Sequence, residues 1–355
     1  MMKNNIKIAY AEPDDYFLEE TRRKYKLGEF AEPTPEYLIK SVMLGHAVGD
    51  ALGVPVEFCD REELDRDPVK DMRGFGTYDV PAGTWSDDTS MSLAALRALT
   101  DKDWSCDSVM NNFVKWIENG EFTATGEVFD VGGTCLRAII KYVQGNTSAS
   151  ECGGTDECSN GNGSLMRIHP FVLYGNFAMN PHTDEYFRNL MGLIGTASAL
   201  THAHERSKIA CYIYGFCLSF LLREQTKRSL VKALEFARGE LDSLPEFEHY
   251  SRIFAPNFAL LPRDEIKSSG YVVDTLEAAI WCVLTTDNYR DCVLRAVNLG
   301  EDTDTVAAVA GGLAGALYGY DDIPTEWLDT LARREYIEGL CEAAAIVWNQ
   351  MKKES

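Results

Sequence analysis

Residues 301–319 read Glu-Asp-Thr-Asp-Thr-Val-Ala-Ala-Val-Ala-Gly-Gly-Leu-Ala-Gly-Ala-Leu-Tyr-Gly. From Val306 onward no charged residue interrupts the stretch, and alanine and leucine favour a helix. A helix that is apolar all round is a buried helix. Gly311, Gly315 and Gly319 recur every four residues and so line one side of it, a smooth face against which another backbone can pack. The apolar stretch Thr305–Tyr318 is shorter than the roughly 18–20 residues a bilayer needs. The expectation is therefore a central helix of a folded domain, its acidic N-terminus fixed in the interior.

Outward from this segment, helical periodicity dominates. Apolar residues recur at three-to-four spacing around 89–100, 107–118, 186–200, 205–223, 226–239, 274–286, 289–298 and 335–351. Thr34-Pro35 is a good helix start, an N-cap followed by an N1 proline, and that helix should end near Gly53 and Pro55. Alternating strand patterns are nearly absent. The chain reads as all-α, with Gly-rich loops at 119–134 and 145–164. No composition shift divides the body, so we expect one compact domain over 35–355. Residues 1–34 look like an N-terminal extension, dense in charge and punctuated by Pro13 and Pro33.

The 355 residues carry 34 Lys and Arg against 55 Asp and Glu, a formal net charge of −21. Binding to nucleic acid by phosphate neutralisation needs a basic surface, which makes a nucleic-acid partner and an anionic membrane poor expectations. No secretory h-region opens the sequence. The ten cysteines are irregularly spaced and read as reduced packing residues. The expected location is cytoplasmic.

Two acidic helix starts stand out: Trp85-Ser86-Asp87-Asp88-Thr89 and Glu301-Asp302-Thr303-Asp304-Thr305. Helix capping is one reading, since Ser, Thr and Asp are favoured there and acids gain from the macrodipole. Capping needs one acid, however, and consecutive carboxylates repel. Dense oxygen donors without His or Cys are what a hard divalent cation selects, and two such clusters meeting in space would suit a two-metal hydrolytic site. The two readings stand side by side at this point. Glu57 follows the first core helix and, taken alone, is a surface charge. Asp130-Val131-Gly132-Gly133-Thr134 and Ser159-Asn160-Gly161-Asn162-Gly163-Ser164 read either as plain loops or as loops whose N–H groups hold phosphate oxygens. Neither is a P-loop or a G-x-G-x-x-G. His202 and His204 sit at an i, i+2 spacing that is poor for zinc.

Taken together these stretches resemble the ADP-ribosylglycohydrolase family, including the dinitrogenase reductase-activating glycohydrolases. The motifs run in order as GHAVGDALGVPVEF, GTWSDDTSMSLAALRAL, VFDVGGT, SNGNGSLMRIHPF, THAHERS and NLGEDTDTVAAVAGGLAGALYG. They span roughly residues 37–350. The resemblance implies a compact all-α domain with a binuclear Mg²⁺ or Mn²⁺ centre. Ser86, Asp87 and Asp88 would ligate from one helix start, and Asp302, Asp304 and Thr305 from the other. It further implies that Glu57 lies on a mobile loop near the metals, in a catalytic or a gating role, and that His202 contacts substrate; the mechanism we expect has Asp87 or Glu57 take the proton of the attacking water. The loops carrying Gly132, Gly133, Thr134, Ser159, Asn160 and Gly161 would cradle the pyrophosphate and ribose, with Asp130 near the arginine end. The implied activity is metal-dependent removal of ADP-ribose from modified proteins, with arginine the first choice of linkage. The alternative is an immunity or interaction role, with or without hydrolysis, in which the extension 1–34 docks onto and blocks an ADP-ribosyltransferase toxin.

Overall fold

The computed structural model describes residues 33–145, 147–179 and 185–354. The extension 1–34, with its proposed docking role, lies outside them apart from Pro33 and Thr34. Two helices form the centre. Helix α1 spans Pro35–Gly53 and helix α12 spans Thr303–Tyr318. Thr34 caps α1 by accepting from the Tyr37 amide at 3.2 Å, as the Thr-Pro start predicts. Every residue of α12 from Thr303 to Leu317 is buried. Beyond Leu38, α1 is buried at all positions but Lys40.

The two helices run antiparallel with backbones in contact. Glycines sit on both sides of the seam: Gly45, Gly49 and Gly53 face Gly311, Ala307 and Asp304, and Gly315 faces Ser41. A Cβ at Gly45 would stand 2.5 Å from the Gly311 carbonyl oxygen, and one at Gly49 would overlap the Ala307 carbonyl. The glycine face of α12 was legible in sequence. The matching glycine row on α1, Gly45, Gly49 and Gly53, gains its meaning only from the contact with α12.

Other helices wrap this pair. Helices α8 (Glu205–Arg223), α10 (Val272–Thr285) and α11 (Tyr289–Val297) pack on α12, and α14 (Arg334–Glu354) packs on α1. Helix α3 (Asp87–Leu99) crosses near α1 and α12 and is buried except at Arg97. Trp348 of α14 donates to the Leu99 carbonyl at 2.8 Å, holding the far end of α3. Helices α2 (Arg61–Arg66), α4 (Cys106–Asn119), α5 (Gly133–Val143), α6 (His169–Phe177), α7 (Tyr186–Ala199), α9 (Lys227–Leu241) and α13 (Thr325–Thr330) complete the shell. No strand occurs among the described residues; two isolated bridges, Gly154–His202 and Gly161–Tyr271, tie loops together. All ten cysteines are free, and no described helix is long and apolar enough to cross a membrane.

The seam gives a paired test by denaturation. Gly49→Ala forces a Cβ into backbone and is expected to lower stability by about 2 kcal/mol or more. Gly239, in α9, has open space where a Cβ would go, so Gly239→Ala should raise stability by about 0.5–1 kcal/mol. Equal effects of the two substitutions would contradict the packing described.

Candidate active site and metal centre

The close approach of α1 to α12 brings two helix starts together in the interior. Ser86 caps α3, accepting from the Asp88 amide at 3.3 Å. Thr305 Oγ1 donates to Asp88 Oδ2 at 3.2 Å, across the two starts. Capping accounts for Ser86. It does not account for Asp302, whose side chain makes no capping bond to α12; its Oδ2 instead accepts from Asn162 Nδ2 at 2.7 Å.

Among the described residues, three carboxylate oxygens are left buried without a partner: Asp88 Oδ1, Asp302 Oδ1 and Asp304 Oδ2. Orphaned buried carboxylate oxygens carry a desolvation penalty of several kcal/mol unless something neutralises them. Glu57, expected from its local sequence to be a surface charge, is only 5% exposed. The turn that follows α1 folds it inward, and Tyr78 donates to its Oε2 at 2.6 Å. The backbone of the Glu57 loop is zipped to the segment before α12, with Phe58 donating to the Glu301 carbonyl at 2.7 Å and Glu301 to the Cys59 carbonyl at 2.8 Å. Glu57, Asp130 and Asp304 each offer an oxygen, all within 4.8 Å of one another. Phe58, Asp130 and Glu301 all have φ between 53° and 66°, a left-handed conformation uncommon for residues with a Cβ and concentrated at functional sites.

The electrostatics follow from this crowding. Burial raises Asp87, Asp88 and Asp304 well above the usual carboxylate range, and neighbouring carboxylates raise Asp88 and Asp304 further. Glu57 is pushed up to about 9, first by burial and then by the charge of Asp130. An all-oxygen donor set with orphaned atoms, mutual repulsion and no His or Cys fits a divalent cation. Asp304 belongs to the oxygen cluster with Glu57 and Asp130, and the adjoining helix starts carry Ser86, Asp87, Asp88, Asp302 and Thr305, linked through the Ser86–Asp88 and Thr305–Asp88 hydrogen bonds.

The glycine loops lie alongside. The Gly132 amide donates to Asp87 Oδ2 at 3.4 Å, and α5 begins at Gly133 with no side-chain cap. Its first N–H groups are therefore open to an anion. The Ser159 and Asn160 side chains are spent on protein partners: Ser159 donates to Asp156 at 3.0 Å, and Asn160 donates to the Glu157 carbonyl at 3.0 Å and accepts from Ser207 of α8 at 2.9 Å. What these two residues shape is the backbone around Gly161. His202 is buried, and its Nε2 lies 3.8 Å from where a Cβ on Gly161 would stand. His204 faces away and caps α8.

Sequence reasoning left four participants without a role. Asp50 of α1 accepts from the Ser86 amide at 2.9 Å and from Thr89 Oγ1 at 2.6 Å, so it ties α1 to the start of α3. Its signal was present, as a lone acid inside an apolar helix. Asn162 bridges Asp302 and Thr275. Tyr78 reaches Glu57 from a loop with no local signature. Arg137 donates to Thr134 at 2.9 Å and stands beside Gly133, adding a basic group to a loop read as relying on N–H donors.

In chelator, Glu57 binds a proton in the fold up to about pH 9 but in the unfolded chain only to about 4.5. Its contribution is therefore fully present below about pH 4.5 and is lost as pH rises toward 9. Melting temperature should fall across that window, and saturating Mn²⁺ should reverse the fall. A cation at a hundred times its Kd should add about 2.7 kcal/mol, and Asp304→Asn should remove most of that gain. A flat pH profile and no response to Mn²⁺ would contradict a cation site.

Comparison with known proteins places the chain in a family. The family model described as ADP-ribosylglycohydrolase matches residues 32–354. The ADP-ribosylarginine hydrolase Tri1 of Serratia proteamaculans (strain 568) is 34% identical over 304 residues, covering 85% of this chain and 77% of that protein. The ADP-ribosyl-[dinitrogen reductase] glycohydrolase of Rhodospirillum rubrum is 32% identical, over 81% and 88% of the two chains. A solved structure titled ADP-ribosylglycohydrolase-related protein complex superposes with a TM-score of 0.73 at 31% identity, covering 90% of this chain and 99% of that one. The chain belongs to the ADP-ribosylglycohydrolase family.

Proposed function

We propose that this protein hydrolyses the N-glycosidic bond of ADP-ribosyl-arginine in modified proteins, reversing an ADP-ribosyltransferase. The observation that carries the reading is the meeting of two acidic helix starts with Glu57 and Asp130 beside amide-rich glycine loops. Support for the arginine linkage comes from the relatives named ADP-ribosylarginine hydrolase, at 34% identity over 85% and 87% of the chain. Asp130 is a carboxylate suited to the cationic guanidinium of that linkage.

Two divalent cations, Mg²⁺ or Mn²⁺, would be held by Ser86, Asp87, Asp88, Asp302, Asp304 and Thr305. When bound, they supply charge that orients the ribose hydroxyls and makes water a better nucleophile at neutral pH. The chain's own groups do the rest. Cleavage breaks the bond from C1″ to the guanidine nitrogen and forms a bond from C1″ to a water oxygen, through a transition state with oxocarbenium character. Asp87 or Glu57, in the ionised form that positive charge in the site favours, accepts the proton of that water, and the departing guanidine takes up a proton. The carboxylates around C1″ favour the developing positive charge. The open amides of α5 and of the loop at Gly161, with Arg137 and His202, bind the diphosphate and its ribose. The catalytic body is residues 35–355, and the protein works in the cytoplasm.

Asp302→Ala and Asp304→Ala are expected to reduce release of ADP-ribose by about 10³-fold, the scale of losing a preorganised electrostatic group, while circular dichroism remains helical. Arginine-, serine- and Asp/Glu-linked ADP-ribosyl proteins should be assayed in parallel with Mg²⁺ or Mn²⁺. Release from the arginine conjugate is the expected result; failure to release from it would refute the reading.

A further inference from the structure

Arg167 is fully buried, has no carboxylate partner among the described residues, and lies 5.0 Å above the Phe113 ring. Its Nε and Nη1 have no hydrogen-bond acceptor. A buried cation held this way is expensive, so the bonds it does make are informative. Nη2 donates to the Ala197 carbonyl at 3.2 Å and to Thr201 Oγ1 at 2.6 Å. Thr201 Oγ1 in turn lies 2.9 Å from His202 Nδ1.

Donor and acceptor roles can be assigned along this line. A guanidinium only donates, so Thr201 Oγ1 accepts from Arg167. The Thr201 hydroxyl hydrogen is then directed to His202 Nδ1. The competing group is the Cys135 sulfur, a weak acceptor whose own thiol donates to the Gly163 carbonyl at 3.7 Å. A hydrogen on Nδ1 would instead place two donors on Thr201 and strand its buried hydroxyl hydrogen. Burial, and then the charge of Arg167, pushes the His202 imidazole down to about 3, so the ring is neutral. A neutral imidazole that accepts at Nδ1 carries its hydrogen at Nε2. That atom faces Gly161 and Gly163 and has no protein partner among the described residues. The backbone at His202 is held in place, because its amide donates to Ser198 O at 2.8 Å and its carbonyl accepts from Ser198 Oγ at 2.9 Å.

We propose that Arg167 and Thr201 are positioning residues that hold His202 as its Nε2–H tautomer, so that it presents a hydrogen-bond donor to an oxygen of the ADP-ribosyl substrate. The ligand half of this statement rests on the proposed function; the tautomer half does not. The chemistry suits an acceptor-only group, a phosphate or ribose oxygen, and disfavours a ligand atom that itself donates.

The test uses the full chain with ¹⁵N-labelled histidine, read by long-range ¹H–¹⁵N correlation, with His202→Gln identifying the His202 signals. In the wild type, Nδ1 should be unprotonated and Nε2 protonated. Thr201→Ser should keep that pattern, and Thr201→Val or Arg167→Met should give mixed or reversed tautomers. Calorimetric affinity for free ADP-ribose should fall about tenfold in Thr201→Val and stay within about twofold in Thr201→Ser. A protonated Nδ1 in the wild type overturns the proposal even if neither variant folds. So does Thr201→Val with wild-type spectrum and affinity. The predicted tautomer in a protein that binds no ADP-ribose would overturn the ligand half and the functional reading together, leaving the tautomer assignment standing.

Discussion

The constraint on which the rest depends is mutual repulsion among carboxylates held in the interior. Asp50, Glu57, Asp87, Asp88, Asp302 and Asp304 converge where water is largely excluded, with Asp130 beside them, and the ionised form of each of the six is disfavoured by burial, by its neighbours or by both. A fold does not gain stability from such a cluster; it tolerates one. The seam between α1 and α12 makes it tolerable. With glycine or alanine at each crossing, the two backbones approach closely enough to fix the start of α12 against the end of α1. The carboxylates then cannot relax apart. Positive charge from outside the chain is the natural remedy, and oxygen donors without nitrogen or sulfur select a hard cation.

The same rigidity explains the division of labour around the site. Asp50 is consumed in holding α3, with three hydrogen bonds to Ser86 and Thr89. Asn162 is consumed in holding Asp302, and Tyr78 in holding Glu57. Each of these groups fixes a carboxylate or a helix start, and what they leave free is informative. The orphaned oxygens of Asp88, Asp302 and Asp304, the open amides of α5 and the Nε2 edge of His202 all lie around the acidic centre and its glycine loops. Cation donors and anion donors thus sit side by side, as a substrate with both hydroxyls and phosphates requires.

Much of this was legible in sequence, for physical reasons that differ by feature. The all-α class follows from apolar spacing, and the burial of α12 follows from its lack of any charged residue after Asp304. The acidic starts were visible because two neighbouring carboxylates exceed what a cap needs. Other features depend on contacts across hundreds of residues and leave no local mark. The glycine row of α1 has meaning only opposite Gly311 and Gly315. Glu57 reads as surface charge until the loop carrying Tyr78 folds over it. Arg167 sits in the quoted motif SNGNGSLMRIHPF, yet nothing local says that it is buried without a counterion or that it reaches Thr201. Capping at Asp302 was an open reading in sequence; the structure shows no capping bond there and a bond from Asn162 instead.

The most direct measurement is anomalous diffraction at the manganese edge from crystals grown with Mn²⁺. Two peaks bridging the Ser86–Asp88 and Asp302–Thr305 segments, within about 2.0–2.6 Å of their oxygens, are predicted. Ordered side chains at those segments with no anomalous density between them, or manganese bound only elsewhere on this acidic surface, would contradict a buried cation centre.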